Sequence, residues 1–229
     1  MRNSLRLITA AAVASLVATA ALEAAGSKPA PPPPSESAAK SPQEVANEAY
    51  NQGLEMRDRA WALEAKAEAA SSEAERQKLL AQASKQYASS IPLFLNATER
   101  APKFHQAFSS LGYAYRKTGD YDAALAAYDR ALELLPHYGE AIEYRAEAYL
   151  GLNRLADAKT AYMQLFNLDR ALADELMEAM QGWVEQRRAE PAGVASETID
   201  EFAAWLAERG ELAEQNARLS AAAERPWGE

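Results

Sequence analysis

The 229-residue chain has no cysteine and only two histidines, His105 and His137. The first absence removes disulfides, thiolate metal sites and cysteine nucleophiles together. The second leaves too few imidazoles at too wide a spacing for a histidine-built metal centre. Neither fixes the redox compartment, because an exported protein need not carry disulfides. Glycine is scarce, with 10 residues, and there is no glycine-rich phosphate loop and no serine elbow. Positive charge is short as well. The 24 Lys+Arg stand against 33 Asp+Glu, a net charge of −9, which is the wrong sign for neutralising nucleic-acid phosphates. The longest apolar run, residues 7–22, falls below the roughly 20 residues of a bilayer-spanning helix. Carboxylates are plentiful, yet stretches such as EAIEYRAEAY read as ordinary helix surface, and no pair is set apart as an acid–base couple. No catalytic residue, cofactor or metal is expected.

What is present begins with an address. Arg2 and Arg6 precede the apolar run, which ends in small residues. Basic start, short apolar centre and small-residue end are the layout of a secretory signal peptide. Cleavage is expected after Ala24, or second after Ala20; an uncleaved anchor of the same topology is the alternative. Both place the rest outside the cytoplasm, periplasmic or secreted, and cleavage leaves no stable membrane insertion. Residues 25–41 form a proline-rich spacer, with four consecutive prolines at 31–34. Folding is expected to start at Pro42.

A pattern then recurs. Leu111, Gly112 and Tyr115 are followed by the Gly119-Asp120 turn, then Ala124, Tyr128, Ala131 and Pro136. Shifted by 34 residues, Ala148, Tyr149, Ala158 and Tyr162 repeat it in part; shifted back, Ser90, Phe94, Ala97 and Pro102 do. Small residues at fixed positions let two helices approach, and the tyrosines fill the space around the contacts. Glycine with Asp makes the interhelix turn, and proline ends the second helix. This resembles the tetratricopeptide repeat, a helix–turn–helix unit of the same period. The match is nearly complete over 105–138, with Phe108 where the family usually has Trp. Over 139–172 it departs at Arg145 and Ala146, where Leu-Gly is usual, and at Arg170, where the closing proline is missing. The fold implied is all-α: an α-solenoid of antiparallel helix pairs, about three repeats, with a stretched first hairpin over 42–104.

The stretch is countable. Gly112 to Ala124 is 12 residues, whereas Gly53 to Ser90 is 37. The extra residues are strong helix formers, so both arms lengthen, with a tip near Ser71 and Ser72. Leu79, Leu80, Ala83, Tyr87 and Ile91 make a stripe on the returning arm, which Pro92 is expected to kink or restart near Ser89 and Ser90. Trp61 and Leu63 are assigned to arm-against-arm packing. Residues 173–229, with 5 basic and 13 acidic residues, are expected to cap the solenoid through Leu176, Met180, Trp183 and Val184. A break at Pro191 to Gly193 follows. Thr198 with Glu201 then suggests a capping box opening a helix that buries Ile199, Phe202, Ala203 and Leu206 and stops at Gly210.

By resemblance, the first helix of each unit lines a groove that binds a polypeptide. Its lining is Asn47, Tyr50, Leu54 and Arg57 in the first unit, Gln106, Ser109, Tyr113 and Arg116 in the second, and Glu140, Glu143 and Glu147 in the third. Ser109 and Tyr113 stand where some family members carry a Lys/Asn carboxylate clamp. The expected role is a non-enzymatic scaffold of the cell envelope with a protein or peptide partner. Self-association through the hairpin, or an accessory place in an envelope assembly, is the alternative.

Overall fold

The computed structural model describes residues 40–223. The export segment, the proline run and residues 224–229 lie outside them. Among the described residues there are eight helices and no strand: α1 (Pro42–Glu68), α2 (Glu73–Arg100), α3 (His105–Lys117), α4 (Tyr121–Leu134), α5 (Gly139–Gly151), α6 (Leu155–Leu168), α7 (Arg170–Ala189) and α8 (Ser196–Ala223). Each helix packs on the next, and the odd-numbered helices α1, α3, α5 and α7 also touch in succession, forming one continuous layer.

The starts of the helices follow from local chemistry. Ser41 and Glu44 form a reciprocal capping box before α1, with Pro42 in the first turn. Ser72 accepts from the Glu75 amide to open α2, and Asp120 from the Ala123 amide to open α4. Gly119 turns the chain between α3 and α4 at φ 85°. One period later Asn153 holds the same left-handed conformation at φ 56°, a place where a short polar side chain is tolerated.

The small–large pattern is the packing. A Cβ on Gly53 would lie 2.5 Å from the ring of Phe94, and one on Gly112 would lie 2.7 Å from the ring of Tyr128. Phe94, Tyr128 and Tyr162 recur at the same interval and are all fully buried. At the third position Ala146, also fully buried, replaces the glycine.

The first hairpin is stretched as expected: α1 and α2 have 27 and 28 residues against 13 and 14 in α3 and α4. Its arms pack on each other through Ala60, Ala67, Ala83 and Tyr87. Two details differ. Leu80, placed on the packing stripe, is solvent-exposed. The returning arm does not restart at Pro92; α2 runs through it unbroken. Tyr87, Ser90 and Phe94 are buried on both sides of the proline, so tertiary packing holds the helix across the lost amide. Ser89 and Ser90 donate their hydroxyls to the carbonyls of Lys85 and Tyr87 at 2.8 and 2.7 Å.

At the far end α7 and α8 cap the array. Leu176, Met180, Trp183 and Val184 are buried with Ile199, Phe202 and Leu206, and the Trp183 indole donates to the Leu150 carbonyl at 2.9 Å. The capping box at Thr198 does not form, because α8 begins two residues earlier at Ser196 and Thr198 sits in its first turn. Nor does the helix stop at Gly210. It continues to Ala223, since one glycine costs only about 1 kcal/mol in a run of Glu, Leu and Ala.

Candidate functional site

The odd-numbered helices bring side chains from three units into one cleft of about 160 Å³. From α1 come Tyr50, Arg57 and Trp61; from α3, Ser109, Ser110 and Tyr113; from α5 and the residue before it, Tyr138, Glu140 and Tyr144. Five of these nine are aromatic. The Trp61 and Tyr113 rings meet edge-on at 6.0 Å and 87°, and Tyr113 meets Tyr144 at 5.0 Å and 67°. The Trp61 indole nitrogen donates to Tyr113 Oη at 2.8 Å. The Arg57 guanidinium lies 4.0 Å from the Trp61 ring centre. Burial pushes the hydroxyls of Tyr138 and Tyr144 up to about 12, so both are protonated donors at neutral pH.

Beside the cleft lies a larger hollow of about 530 Å³. Leu80 and Ser84 of α2 form one wall, Gly182 and Trp183 of α7 the other, and Leu150 and Gly151 close the end of α5. Arg116, on the hollow's edge, is ion-paired with Glu147 and sits 5.0 and 5.5 Å from the Tyr113 and Tyr144 rings. The hairpin is tied to α3 here by Lys117 to Glu64 at 2.6 Å, and its two arms are tied to each other by the Tyr87 hydroxyl donating to the same Glu64 at 2.8 Å.

Of the eleven residues expected in the groove, Tyr50, Arg57, Ser109, Tyr113 and Glu140 line the cleft, and Arg116 and Glu147 line the hollow. The other four do not line either. Asn47 is exposed at the start of α1, where it accepts from Gln43. Gln106 lines a separate depression between the start of α1 and the α2–α3 loop. Leu54 packs on the apolar cluster of Phe94 and Leu111. Glu143 is only 3% exposed, so it faces inward and not the groove. Desolvation, then the neighbouring Glu147 carboxylate, pushes its carboxyl up to about 9. Its Oε2 has no hydrogen-bond partner among the described residues.

Trp61, Ser110, Tyr138 and Tyr144 join the cleft without having been expected in it. The signal for Trp61 is in the sequence: residues 50, 54, 57 and 61 continue one helical stripe, which the division into groove and hairpin cuts after Arg57. His105 stacks edge-on against Tyr138 at 5.1 Å, and His137 is exposed. Among the described residues no group of three His, Cys, Asp or Glu is placed to hold a metal ion. No described helix is long and apolar enough to cross a membrane.

Residues 105–138 match the family model of the tetratricopeptide repeat. No curated protein matches the chain in sequence. Among solved structures, a TPR2B-domain–pHsp70 complex of yeast Sti1 is 14% identical with a TM-score of 0.39, covering 72% of this chain and 98% of its own. The first TPR of Spaghetti (RPAP3), bound to the HSP90 peptide SRMEEVD, is 20% identical with a TM-score of 0.39, covering 55% and 94%. The MamA RS-1 ArsTM double mutant is 16% identical with a TM-score of 0.40, covering 78% and 99%. These values carry no information on what this chain binds.

Proposed function

We propose that the chain is a non-enzymatic interaction scaffold of the cell envelope that holds a polypeptide segment along the layer of odd-numbered helices. The observation that carries this is the cleft itself. Tyr and Trp with Arg are the side chains that supply most binding energy in protein interfaces, and here Tyr50, Trp61, Tyr113, Tyr138 and Tyr144 converge with Arg57 from three successive units. Their rings are fixed against one another, so little side-chain entropy is lost on binding. Arg57 and Glu140 give the cleft both signs of charge, which suits a segment of mixed charge. The envelope location rests on the basic–apolar–small succession of residues 2–24.

Self-association through the hairpin is a weaker reading, because the arms use their buried residues on each other. Light scattering over a range of concentrations separates the two. A stable monomer supports the scaffold, and a concentration-dependent dimer lost on Leu80→Glu supports the hairpin.

A further inference from the structure

We propose that two copies of the chain pair through the groove between α6 and α8, each laying the outer face of its α8 across the groove of the other. The groove is built by Tyr162, Met163 and Phe166 of α6 with Arg209 and Leu212 of α8, around a hollow of about 220 Å³. Trp205 extends it, edge-on to Tyr162 at 5.6 Å. Met163 and Leu212 are both exposed, so an apolar strip lies uncovered here. Cations stand over its rings. The Arg170 guanidinium lies 3.4 Å from the centre of Phe166, and the Lys159 ammonium 5.1 Å from that of Trp205. Arg209 is paired with its neighbour Glu208 at 2.6 Å, whereas Lys159 and Arg170 have no ion-pair partner among the described residues.

The complement is on the same helix. Glu201, Ala204, Glu208, Glu211 and Gln215 follow one another along α8 at intervals of three and four, and all five are exposed. The ion pairs of α8 among the described residues use Asp200, Glu208 and Glu214, not Glu201 or Glu211. A groove with two unpaired cations therefore lies beside a ridge with two unpaired carboxylates. A two-fold axis satisfies both at once, because it sets each copy's ridge on the other's groove. This favours a second copy over a foreign helix: the helix that the groove suits, with carboxylates along one face, is one the chain carries itself. The hollow takes a single side chain, and the helix lies across its mouth. With 28 residues against 14 in α4 and α6, α8 is long enough to cross a neighbour's groove. No residue of the aromatic cleft takes part, so the pairing is independent of what the cleft binds. Each dimer would carry two clefts, and a partner with two matching segments would gain avidity.

Charge reversal with rescue tests this. Sedimentation velocity of the chain beginning at Ala25, from about 1 to 200 µM, should show a monomer–dimer equilibrium that weakens with added salt and survives Leu80→Glu. Lys159→Glu with Arg170→Glu reverses the groove, and Glu201→Lys with Glu211→Lys reverses the ridge. Neither pair of changes breaks an ion pair within the chain. Each double variant on its own sets like charges face to face and should dimerise at least about tenfold more weakly. Mixed in equal amounts, the two variants match reversed groove to reversed ridge and native ridge to native groove. The mixture should recover the parent's affinity, which misfolded variants could not do. A parent that stays monomeric over the whole range would overturn the proposal. So would a dimer indifferent to both double variants, or a mixture that stays as weak as its components. A dimer lost on Leu80→Glu and indifferent to the charge reversals would place the contact on the hairpin instead.

Discussion

The indole nitrogen of Trp61 donates to the phenolic oxygen of Tyr113 at 2.8 Å, across 52 residues of sequence. Trp61 belongs to the stretched arm of the first hairpin and Tyr113 to the first helix of the best-formed repeat. Hairpin and groove are therefore one surface, and a change at Trp61 is a change in the groove. Trp61→Phe and Tyr113→Phe each remove one partner of the bond, so their effects on stability should not add. A double-mutant cycle by urea unfolding should return a coupling of about 1 kcal/mol. A coupling indistinguishable from zero would show the bond to be absent in solution.

Close approach at the glycines gives opposite signs at two sites. Gly112→Ala places a methyl 2.7 Å from the Tyr128 ring and should cost about 1–3 kcal/mol, even though alanine favours helix. A methyl on Gly182 would meet nothing within 4 Å, so Gly182→Ala should stabilise by up to about 1 kcal/mol. Ala124→Leu, at a fully buried site facing the same packing, should behave like Gly112→Ala. Denaturant midpoints for the three variants check this directly; equal effects at Gly112 and Gly182 would put the helix pairing in the wrong frame.

Glu143 ties stability to pH. Its carboxyl is pushed up to about 9 by burial first and by the Glu147 carboxylate second, with Arg116 opposing and Glu175 adding to the shift. Below the unfolded value near 4.5 both states are protonated, so the group contributes no difference. Between there and about 9 the unfolded chain binds fewer protons than the folded one, so stability falls as pH rises. Glu143→Gln should therefore melt at the same temperature as the parent near pH 4 and higher than the parent near pH 8. A variant that melts lower at pH 8 would mean that the ionised carboxylate is the stabilising form.

Much of this was legible in the residues because repeat packing has a local code. The spacing of Gly112, Ala124 and Tyr128 fixes which helices approach, and the long separation of Gly53 from Ser90 fixes the stretched hairpin. The cleft was only half legible. Tyr50, Arg57 and Tyr113 follow from helix periodicity within a unit, but Tyr138 and Tyr144 enter through the rotation of one unit on the next, which no local pattern encodes. Glu143 shares the groove stripe in register yet is buried, and it is Glu147, one turn further on, that pairs with the largely buried Arg116. Pro92 and Gly210 mislead for a related reason: both are local breakers, and packing or flanking helix formers outweigh their cost.

Export has its own test. N-terminal sequencing of the protein made in a bacterial host should begin at Ala25, or at Ala21 for the second cleavage site. Intact Met1 in a soluble cytoplasmic fraction would contradict the proposed location.

The central claim is that the aromatic cleft holds a polypeptide, and calorimetric titration tests it most directly. The partner is first recovered by crosslinking in the native envelope, and its contacting segment is then titrated into the parent and into Trp61→Ala and Arg57→Ala. Both side chains are partly exposed, so truncation should leave the helical content unchanged. True anchors in an interface cost roughly 2 kcal/mol or more, so each variant should bind at least about 30-fold more weakly. Affinity unchanged in both variants would contradict the account and move the binding surface away from the cleft.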